Sequence, residues 1–198
     1  MFNRLQVIRT CKVKNIKIKC KGVSKMNEVL NNLCTRRSIR KFKPDAIAQD
    51  VLDRIIKAGT YAPTGMGKQS PIIIAVTNKE MRDKLSKMNA EIMGTNTDPF
   101  YGAPVVLIVL ADKSRPTHVY DGSLVMGNLM NAAHSEGIGS CWIHRAKEEF
   151  ESEEGKNILK SLGIEGDYEG IGHCILGYTD GEEPSPAPRK ENYVYYVK

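Results

Sequence analysis

The strongest restriction on the fold comes from an unbroken apolar run in the middle of the chain, Ala103–Ala111, with the sequence APVVLIVLA. Continuous apolar runs rich in β-branched residues are typical of strands buried in a protein core. Three more short apolar runs, at residues 71–77, 139–143 and 170–178, are predicted to be strands. Because segments with helical spacing separate these runs, the residues alone favour one domain of the α/β or α+β class.

The predicted helices lie before and between these strands. Apolar residues recur at helical spacing over residues 29–34, 51–59, 81–92, 125–136 and 152–162. Asn27 is predicted to cap the first of these helices, and Gly59 and then Pro63 are predicted to stop the second. The fourth helix is apolar on much of its surface, so we expect it to be central to the fold.

The net charge of +6 comes from the first 25 residues. They contain eight Lys or Arg and no acid, which leaves 21 basic and 23 acidic residues in the rest of the chain. We therefore divide the chain into a basic arm, 1–25, and a domain, 26–198, with an extended tail at 181–198, and we expect no nucleic acid on the domain. Three interpretations of the arm stay open: a segment packed on the domain, a polyanion-binding extension, or a region upstream of a natural start at Met26.

Hydropathy and cysteine spacing further restrict the class of protein to which the chain can belong. No apolar run approaches the ~18 residues that a membrane span needs, so no membrane association is expected. The five cysteines include no C-x-x-C pair and no metal-finger spacing. We therefore expect reduced, mostly buried thiols in a cytoplasmic protein, and no metal site.

A basic cluster, RRSIRKF at residues 36–42, follows the first predicted helix. Three arginines and a serine within five residues supply several hydrogen-bond donors in the fork geometry that suits phosphate. The alternative is a solvated basic turn. The sequence therefore identifies a candidate anion site without deciding between these two interpretations.

Two further segments are candidates for ligand contact. In the loop APTGMGKQSP, residues 62–71, Gly65 and Gly67 let a ligand approach the backbone closely, but Gln69 stands where a P-loop needs Ser or Thr. The predicted strand GSCWI delivers His144 and Arg145 to its end. Because the chain lacks the sequence motifs of the common catalytic nucleophiles, these features favour a bound cofactor that carries the chemistry.

The order of these segments resembles a known family. Five blocks carry the resemblance and cover nearly all of the chain from Met26 onward: RRSIRKF, KAGTYAPTGMGKQSP, FYGAPVVLIVLAD, DGSLVMGNLMNAAHSEGIGSCWI, and GHCILGY with PAPRK. Together they resemble the FMN-dependent nitroreductases. The resemblance implies an α+β fold with a mostly antiparallel central sheet wrapped by helices. It also implies a homodimer with FMN at its interface, in which each C-terminal segment crosses to the partner.

The resemblance implies a role for each matching residue. The phosphate and ribityl chain of FMN would be held by Arg36, Arg37, Ser38, Arg189 and Lys190. The residues expected along the isoalloxazine ring, contributed by the other subunit, are Pro63, Thr64, Gly65 and Gln69, with Gly67 standing where members often carry Asn. The strand end that faces the N5 side of the flavin corresponds to Ile143, His144 and Arg145. Arg40 would be the catalytic residue, because its charge at the pyrimidine edge would stabilise the reduced flavin.

The implied activity is that of an NAD(P)H-dependent oxidoreductase. In a ping-pong cycle, NADH or NADPH would give hydride to flavin N5 and leave, and a nitroaromatic, a quinone or a similar small acceptor would then take it. Two alternatives stay open. One is a reductive dehalogenase of the same family. Such an enzyme needs an additional substrate lid, and the segment Met93–Tyr101 is short for one. The other is a non-catalytic flavin- or nucleotide-binding protein.

Overall fold

A four-stranded antiparallel sheet forms the centre of the computed structural model, which describes residues 26–198. The strands are β1 (Pro71–Val76), β2 (Val105–Asp112), β3 (Gly139–Ile143) and β4 (Tyr168–Gly177). Their order in the sheet is β1-β2-β4-β3, and every pairing is antiparallel. The predicted α+β class and antiparallel sheet are therefore confirmed, whereas the basic arm, residues 1–25, lies outside the described residues.

Strand β2 is buried on both faces, as its unbroken apolar run predicts. Residues 105–111 are each at most 5% exposed. Side chains alternate across a strand, so Leu107 and Val109 face one apolar cluster while Ile108 and Leu110 face the other. The sheet consequently needs a helical layer on each of its faces.

The described part of the chain contains six α-helices, and five of them supply these layers. The six helices are α1 (Glu28–Thr35), α2 (Gln49–Thr60), α3 (Lys79–Met93), α4 (His118–Ser135), α5 (Ala146–Glu151) and α6 (Glu153–Ser161). Helices α2 and α4 contribute to the cluster on one face of the sheet, and α3, α5 and α6 contribute to the other. Between residues 26 and 198, none of the helices has the length and hydropathy to cross a membrane.

Local capping follows the sequence closely, with one exception. The side chain of Asn27 accepts a hydrogen bond from the N–H of Leu30 at 2.9 Å, so the predicted cap of α1 is confirmed. Helix α2 continues past Gly59 but ends at Thr60, before Pro63, so Gly59 itself is not the stop. Gly59 is instead a point of close helix contact: a Cβ there would lie 2.5 Å from a methyl carbon of Leu129 on α4.

The fold differs from the sequence prediction at two further places. Helix α5 is absent from the prediction, because its six residues carry too few apolar positions to establish a period. The tail, predicted to be extended, contains a short 3-10 turn at Glu191–Tyr193.

Cys141 and Cys174 are buried free thiols, in agreement with the prediction, but Cys34 is exposed.

Candidate functional site

Three residues that follow α1 meet the C-terminal tail in one cavity. Arg36, Arg37 and Ser38 line a cavity of about 520 Å³ together with Arg189. The remaining lining residues are Leu33, Cys34, Pro186 and Ala187. The structure therefore brings together four of the residues predicted from the sequence, across about 150 residues of chain.

The guanidinium groups in this cavity are not equivalent. Nη1 of Arg36 is buried and has no hydrogen-bond partner among the described residues. Arg37 is satisfied locally, because its Nη1 donates to the carbonyl of Cys34 at 2.9 Å and to that of Arg36 at 2.6 Å. A buried N–H without an acceptor is unfavourable, and a phosphate oxygen would satisfy it with a charge-assisted bond. The donors of this cavity therefore fit an anionic group such as the phosphate of FMN.

Backbone hydrogen bonds hold the segment after α1 against the sheet. The N–H of Ile39 donates to the carbonyl of Ser140 on β3 at 2.9 Å, and that of Lys43 donates to the carbonyl of Tyr178 at 2.9 Å. Within this segment the side chain of Ile39 is buried, and that of Arg40 is exposed. This arrangement orients the segment so that Arg36 is directed inward while Arg40 is accessible from outside.

The loop at residues 61–70 is anchored by a buried carboxylate on α4. Asp121 is only 3% exposed. Its Oδ1 accepts a hydrogen bond from the N–H of Gly65 at 2.9 Å, and its Oδ2 accepts from the hydroxyls of Ser70 at 2.7 Å and Thr117 at 3.1 Å. Burial opposes ionisation of Asp121, but these hydrogen bonds outweigh it and hold the pKa of the carboxyl below its ordinary value. The role of Asp121 has no local sequence signal, because its partners Gly65 and Ser70 are more than 50 residues away.

Unusual backbone angles give this loop its shape. Met66, Gly67 and Gln69 all have positive φ, at 52°, 65° and 49° respectively. The N–H of Gln69 donates to the hydroxyl of Thr64 at 3.0 Å, which closes the turn. Conformations of this kind persist only when the surroundings hold them, and Asp121 is the main anchor.

The loop residues line a second, mostly apolar cavity. Thr64 and Gln69 border this space of about 310 Å³, whose other lining residues are Ile56, Thr60, Ala62, Pro71, Ile72, Ile73 and Val125. Pro63 is exposed. This cavity shares no lining residue with the cavity at Arg36. Within one chain, the two predicted groups of residues therefore line two separate cavities.

The other predicted residues occupy the β3–α5 turn and the tail. Ile143 is the last residue of β3, His144 is exposed, and Arg145 has a positive φ of 76° immediately before α5. In the tail, Lys190 places its Nζ 5.3 Å from the centre of the Tyr193 ring and does not line the cavity at Arg36. Residues 26–198 contain no group of three or more His, Cys, Asp or Glu side chains that could hold a metal ion.

Comparisons with known proteins identify the family of the chain. Residues 33–100 and 92–178 match the model of the nitroreductase family, so the chain belongs to that family. A Methanothermobacter thermautotrophicus protein with the provisional name NADH dehydrogenase/NAD(P)H nitroreductase is 33% identical over 129 residues, which are 61% of this chain and 62% of that protein. A protein of the same name from Archaeoglobus fulgidus is 29% identical over 163 residues, which are 80% of this chain and 89% of that protein.

A solved structure extends the comparison to three dimensions. The structure of a nitroreductase with bound FMN from Bacteroides fragilis superposes with a TM-score of 0.80. The two sequences are 27% identical, and the alignment covers 87% of this chain and 100% of that one. The nitroreductase fold therefore extends over the described domain.

Proposed function

We propose that this chain is an FMN-dependent oxidoreductase that transfers hydride from NADH or NADPH to a small acceptor such as a nitroaromatic or a quinone. The observation that carries the proposal is the buried, unpartnered Nη1 of Arg36 in a cavity that Arg37, Ser38 and Arg189 also line. The relatives named as NAD(P)H nitroreductases and the FMN-bound structure of the same fold support it.

Each group of residues has a separate task in this proposal. FMN, when bound, supplies the chemistry of accepting and releasing hydride at its N5 atom. Arg36, Arg37, Ser38 and Arg189 would bind the phosphate and ribityl chain, and Lys190 would add positive charge nearby. Pro63, Thr64, Gly65, Gly67 and Gln69 would lie along the isoalloxazine ring, and Ile143, His144 and Arg145 would present backbone groups to it. Because none of these tasks needs a protein base, the absence of a nucleophile motif is consistent with the proposal.

The same proposal explains why the two cavities differ in chemical character. The phosphate group needs donors and positive charge, which the cavity at Arg36 supplies. A planar aromatic ring needs apolar surface with a few hydrogen-bonding groups, which the cavity at Thr64 and Gln69 supplies. Since these two cavities are separate in one chain, we propose that a second copy completes the site.

Exposed apolar surface supports this homodimer. Helix α1 buries none of its residues, and its Val29, Leu30 and Leu33 are exposed. Its Asn32 donates to the carbonyl of Asn131 on α4 at 2.9 Å, so the two helices form one surface. Leu33 also lines the cavity at Arg36, so a partner that covers this surface would also border that cavity. An exposed apolar area of this kind is typical of a protein–protein interface.

The C-terminal tail supports the same assembly. Its last apolar and aromatic residues, 193–197, are each at least 61% exposed. Such a run, beyond an extended proline-rich linker, suits pairing with a second subunit. We therefore propose that the tail crosses to the partner.

A charge placed on α4 is expected to dissociate the dimer. Leu124 is exposed on α4, about two helical turns before Asn131 and so on the same face. Leu124→Glu would bury a carboxylate without a partner in the proposed interface, which is strongly unfavourable. Sedimentation velocity should then detect a monomer that no longer retains FMN. The matched control is Leu162→Glu, immediately after α6, because Leu162 is exposed to a similar extent, 53% against 47% for Leu124. The control variant should stay dimeric, and a dimeric Leu124→Glu variant would contradict the proposed interface.

Arg40→Ala is expected to slow flavin reduction by NADH about tenfold and to make the midpoint potential of the flavin more negative. The physical reason is that a cation near the ring stabilises the negative charge that accompanies reduction. Stopped-flow absorbance and a potentiometric titration measure the two quantities. Lys41→Ala is the matched control, because Lys41 is the neighbouring exposed cation and is already paired with Asp180 at 2.8 Å. If both quantities stay unchanged in Arg40→Ala, Arg40 does not have this role.

The proposed function itself is tested on the purified full-length protein. An absorbance spectrum should show flavin bands, and anaerobic addition of NADH or NADPH should bleach them. The donor that bleaches the flavin faster is the preferred one, and nitroaromatic and quinone acceptors should restore the bands. A colourless protein that also fails to bind added FMN would refute the proposal.

A further inference from the structure

A buried polar network lies behind the β3–α5 turn. It consists of Asn89 on α3, Glu149 on α5 and His173 on β4, and all three side chains are fully buried. Oε1 of Glu149 accepts a hydrogen bond from Nδ2 of Asn89 at 2.5 Å, and Oε2 of Glu149 lies 3.1 Å from Nε2 of His173. Burying three polar side chains is unfavourable even where they hydrogen-bond one another, and here Oδ1 of Asn89 and Nδ1 of His173 have no hydrogen-bond partner among the described residues. The network therefore calls for an explanation beyond packing.

The network connects to the backbone of the predicted site. Nδ2 of Asn89 also donates to the carbonyl of His144 at 2.9 Å. The two hydrogens on Nδ2 thus serve two acceptors, one on the backbone and one on Glu149. The reversed amide would place Oδ1 against both acceptors, so the orientation of the Asn89 side chain is determined.

The hydrogen bond from Asn89 sets the direction of the His144 carbonyl, and this also sets the direction of the N–H of Arg145 in the same peptide. The described residues contain no cis peptide bonds, and in a planar trans peptide the C=O and the following N–H point in opposite directions. Because the carbonyl of His144 points inward to Asn89, the N–H of Arg145 points away from the network. That N–H has no hydrogen-bond partner among the described residues. Arg145 also has a positive φ of 76°, a conformation that a non-glycine residue keeps only when it is held.

We infer that Asn89 is a positioning residue, which turns the His144–Arg145 peptide so that the N–H of Arg145 is available to the flavin ring. This inference rests on the proposed function, because it takes the β3–α5 turn as part of the FMN site. Glu149 and His173 act one step further away, by holding the amide of Asn89 in its orientation. None of the three residues would touch the bound molecule.

Close packing keeps the carboxylate of Glu149 in place. A Cβ on Gly170 of β4 would lie 2.1 Å from the carbonyl oxygen of Ala146, the first residue of α5. A Cβ on Gly155 of α6 would lie 2.1 Å from the carbonyl oxygen of Glu149 itself. Helix α5 is therefore in backbone contact with both neighbours, and it has little freedom to shift. This rigidity is what a positioning network requires.

Amide hydrogen exchange on the unmodified protein tests the inference first. The N–H of Arg145 should exchange rapidly without FMN, and its exchange should slow at least tenfold when FMN is added to saturation. Exchange is followed by NMR with an assigned Arg145 resonance, alongside FMN binding measured by the quenching of flavin fluorescence. If FMN binds and the exchange of Arg145 stays unchanged, the inference is wrong. If FMN does not bind at all, the proposed function is wrong, and the inference falls with it.

A variant series then tests the role of Asn89. Asn89→Leu keeps a similar volume but removes both hydrogen bonds, so FMN should no longer slow the exchange of Arg145, and reduction by saturating NADH should slow at least tenfold. Glu149→Gln keeps an acceptor for Asn89 and should retain both properties within about threefold. The matched control is Ser86→Ala, because Ser86 is a buried polar residue on the same helix whose hydroxyl donates to Asp98 at 2.6 Å.

The outcomes of this series separate positioning from general stability. Protection of Arg145 that survives in Asn89→Leu would overturn the inference, as would an equal slowing in Ser86→Ala. Loss of protection in Asn89→Leu alone, with FMN still bound through the phosphate cavity, would support it. Should Asn89→Leu fail to fold, Asn89→Ala takes its place, because it removes the same two hydrogen bonds with a smaller side chain, and protection of Arg145 that survives in Asn89→Ala would overturn the inference.

Discussion

Arg36→Ala is expected to raise the dissociation constant for FMN roughly 100-fold. A charge-assisted hydrogen bond contributes about 1.5–3 kcal/mol, and each 1.4 kcal/mol corresponds to about a tenfold change in affinity. The expectation lies at the upper end of this range, because Nη1 of Arg36 is already buried and oriented without a partner. Titration of the apoprotein with FMN, followed by flavin fluorescence, measures the effect.

Two further variants show whether this effect depends on geometry. Arg36→Lys keeps the positive charge but loses the planar fork. Its affinity for FMN should therefore lie between that of the original protein and that of Arg36→Ala. Arg54→Ala is the matched control, since Arg54 is a surface arginine paired with Asp50 at 2.8 Å and Glu136 at 2.9 Å, on a different part of the chain. Its affinity for FMN should not change. An Arg36→Ala variant that binds FMN normally would remove Arg36 from the phosphate site.

Asp121→Ala is expected to lower the free energy of unfolding by about 3 kcal/mol at neutral pH. The variant leaves the N–H of Gly65 and the hydroxyl of Ser70 without their acceptor in a buried position, and each such loss costs about 1–3 kcal/mol. For a protein of this size the midpoint of thermal unfolding should fall by about 6–12 °C. Differential scanning calorimetry measures this change.

The same substitution should also change how stability depends on pH. The pKa of Asp121 is lowered in the folded protein, because its hydrogen bonds outweigh the opposing effect of burial. A carboxyl with a lowered pKa stabilises the fold above its unfolded value of about 3.9, and this contribution is lost as pH falls through the folded pKa. The difference in stability between the original protein and Asp121→Ala should therefore shrink as the pH is lowered below about 4.

A surface aspartate provides the control for Asp121. Asp180 also has a lowered pKa, caused by its hydrogen bond and ion pair with Lys41, but this pair is exposed. Exposed ion pairs contribute little to stability, so Asp180→Ala should change the unfolding midpoint only slightly. Equal effects of Asp121→Ala and Asp180→Ala would show that Asp121 does not anchor the loop. Asp121→Ala should in addition weaken FMN binding, because the loop that carries Thr64 and Gly65 loses its support.

The candidate phosphate site was largely predictable from local sequence. Arg36, Arg37 and Ser38 are consecutive, so their proximity is a property of the chain and needs no fold. The resemblance added Arg189, and the structure brings it to the same cavity. Lys190 was predicted beside it but contacts Tyr193 instead, since adjacent residues of an extended tail point in different directions.

The two supports of the site were not predictable in this way. Asp121 appears in the sequence as an ordinary acid in the first turn of a helix, where it would interact favourably with the helix dipole. Asn89 appears as one polar position of an amphipathic helix. Their functions depend on Gly65 and on His144, each 55 or 56 residues away along the chain. No local period or motif encodes a contact at such a separation.

By itself, the sequence determined the strands, most of the helices, the arginine cluster and the absence of a nucleophile motif. These properties depend on residues within a few positions of one another, where backbone geometry alone sets which side chains share a face. Only the tertiary structure decided that Gly59 is a helix contact, that Asp121 accepts hydrogen bonds from the loop and that Asn89 donates to the carbonyl of His144. Those contacts form only when the sheet and its two helical layers have brought distant segments together, because burial, and not sequence proximity, selects the partners of a buried polar group.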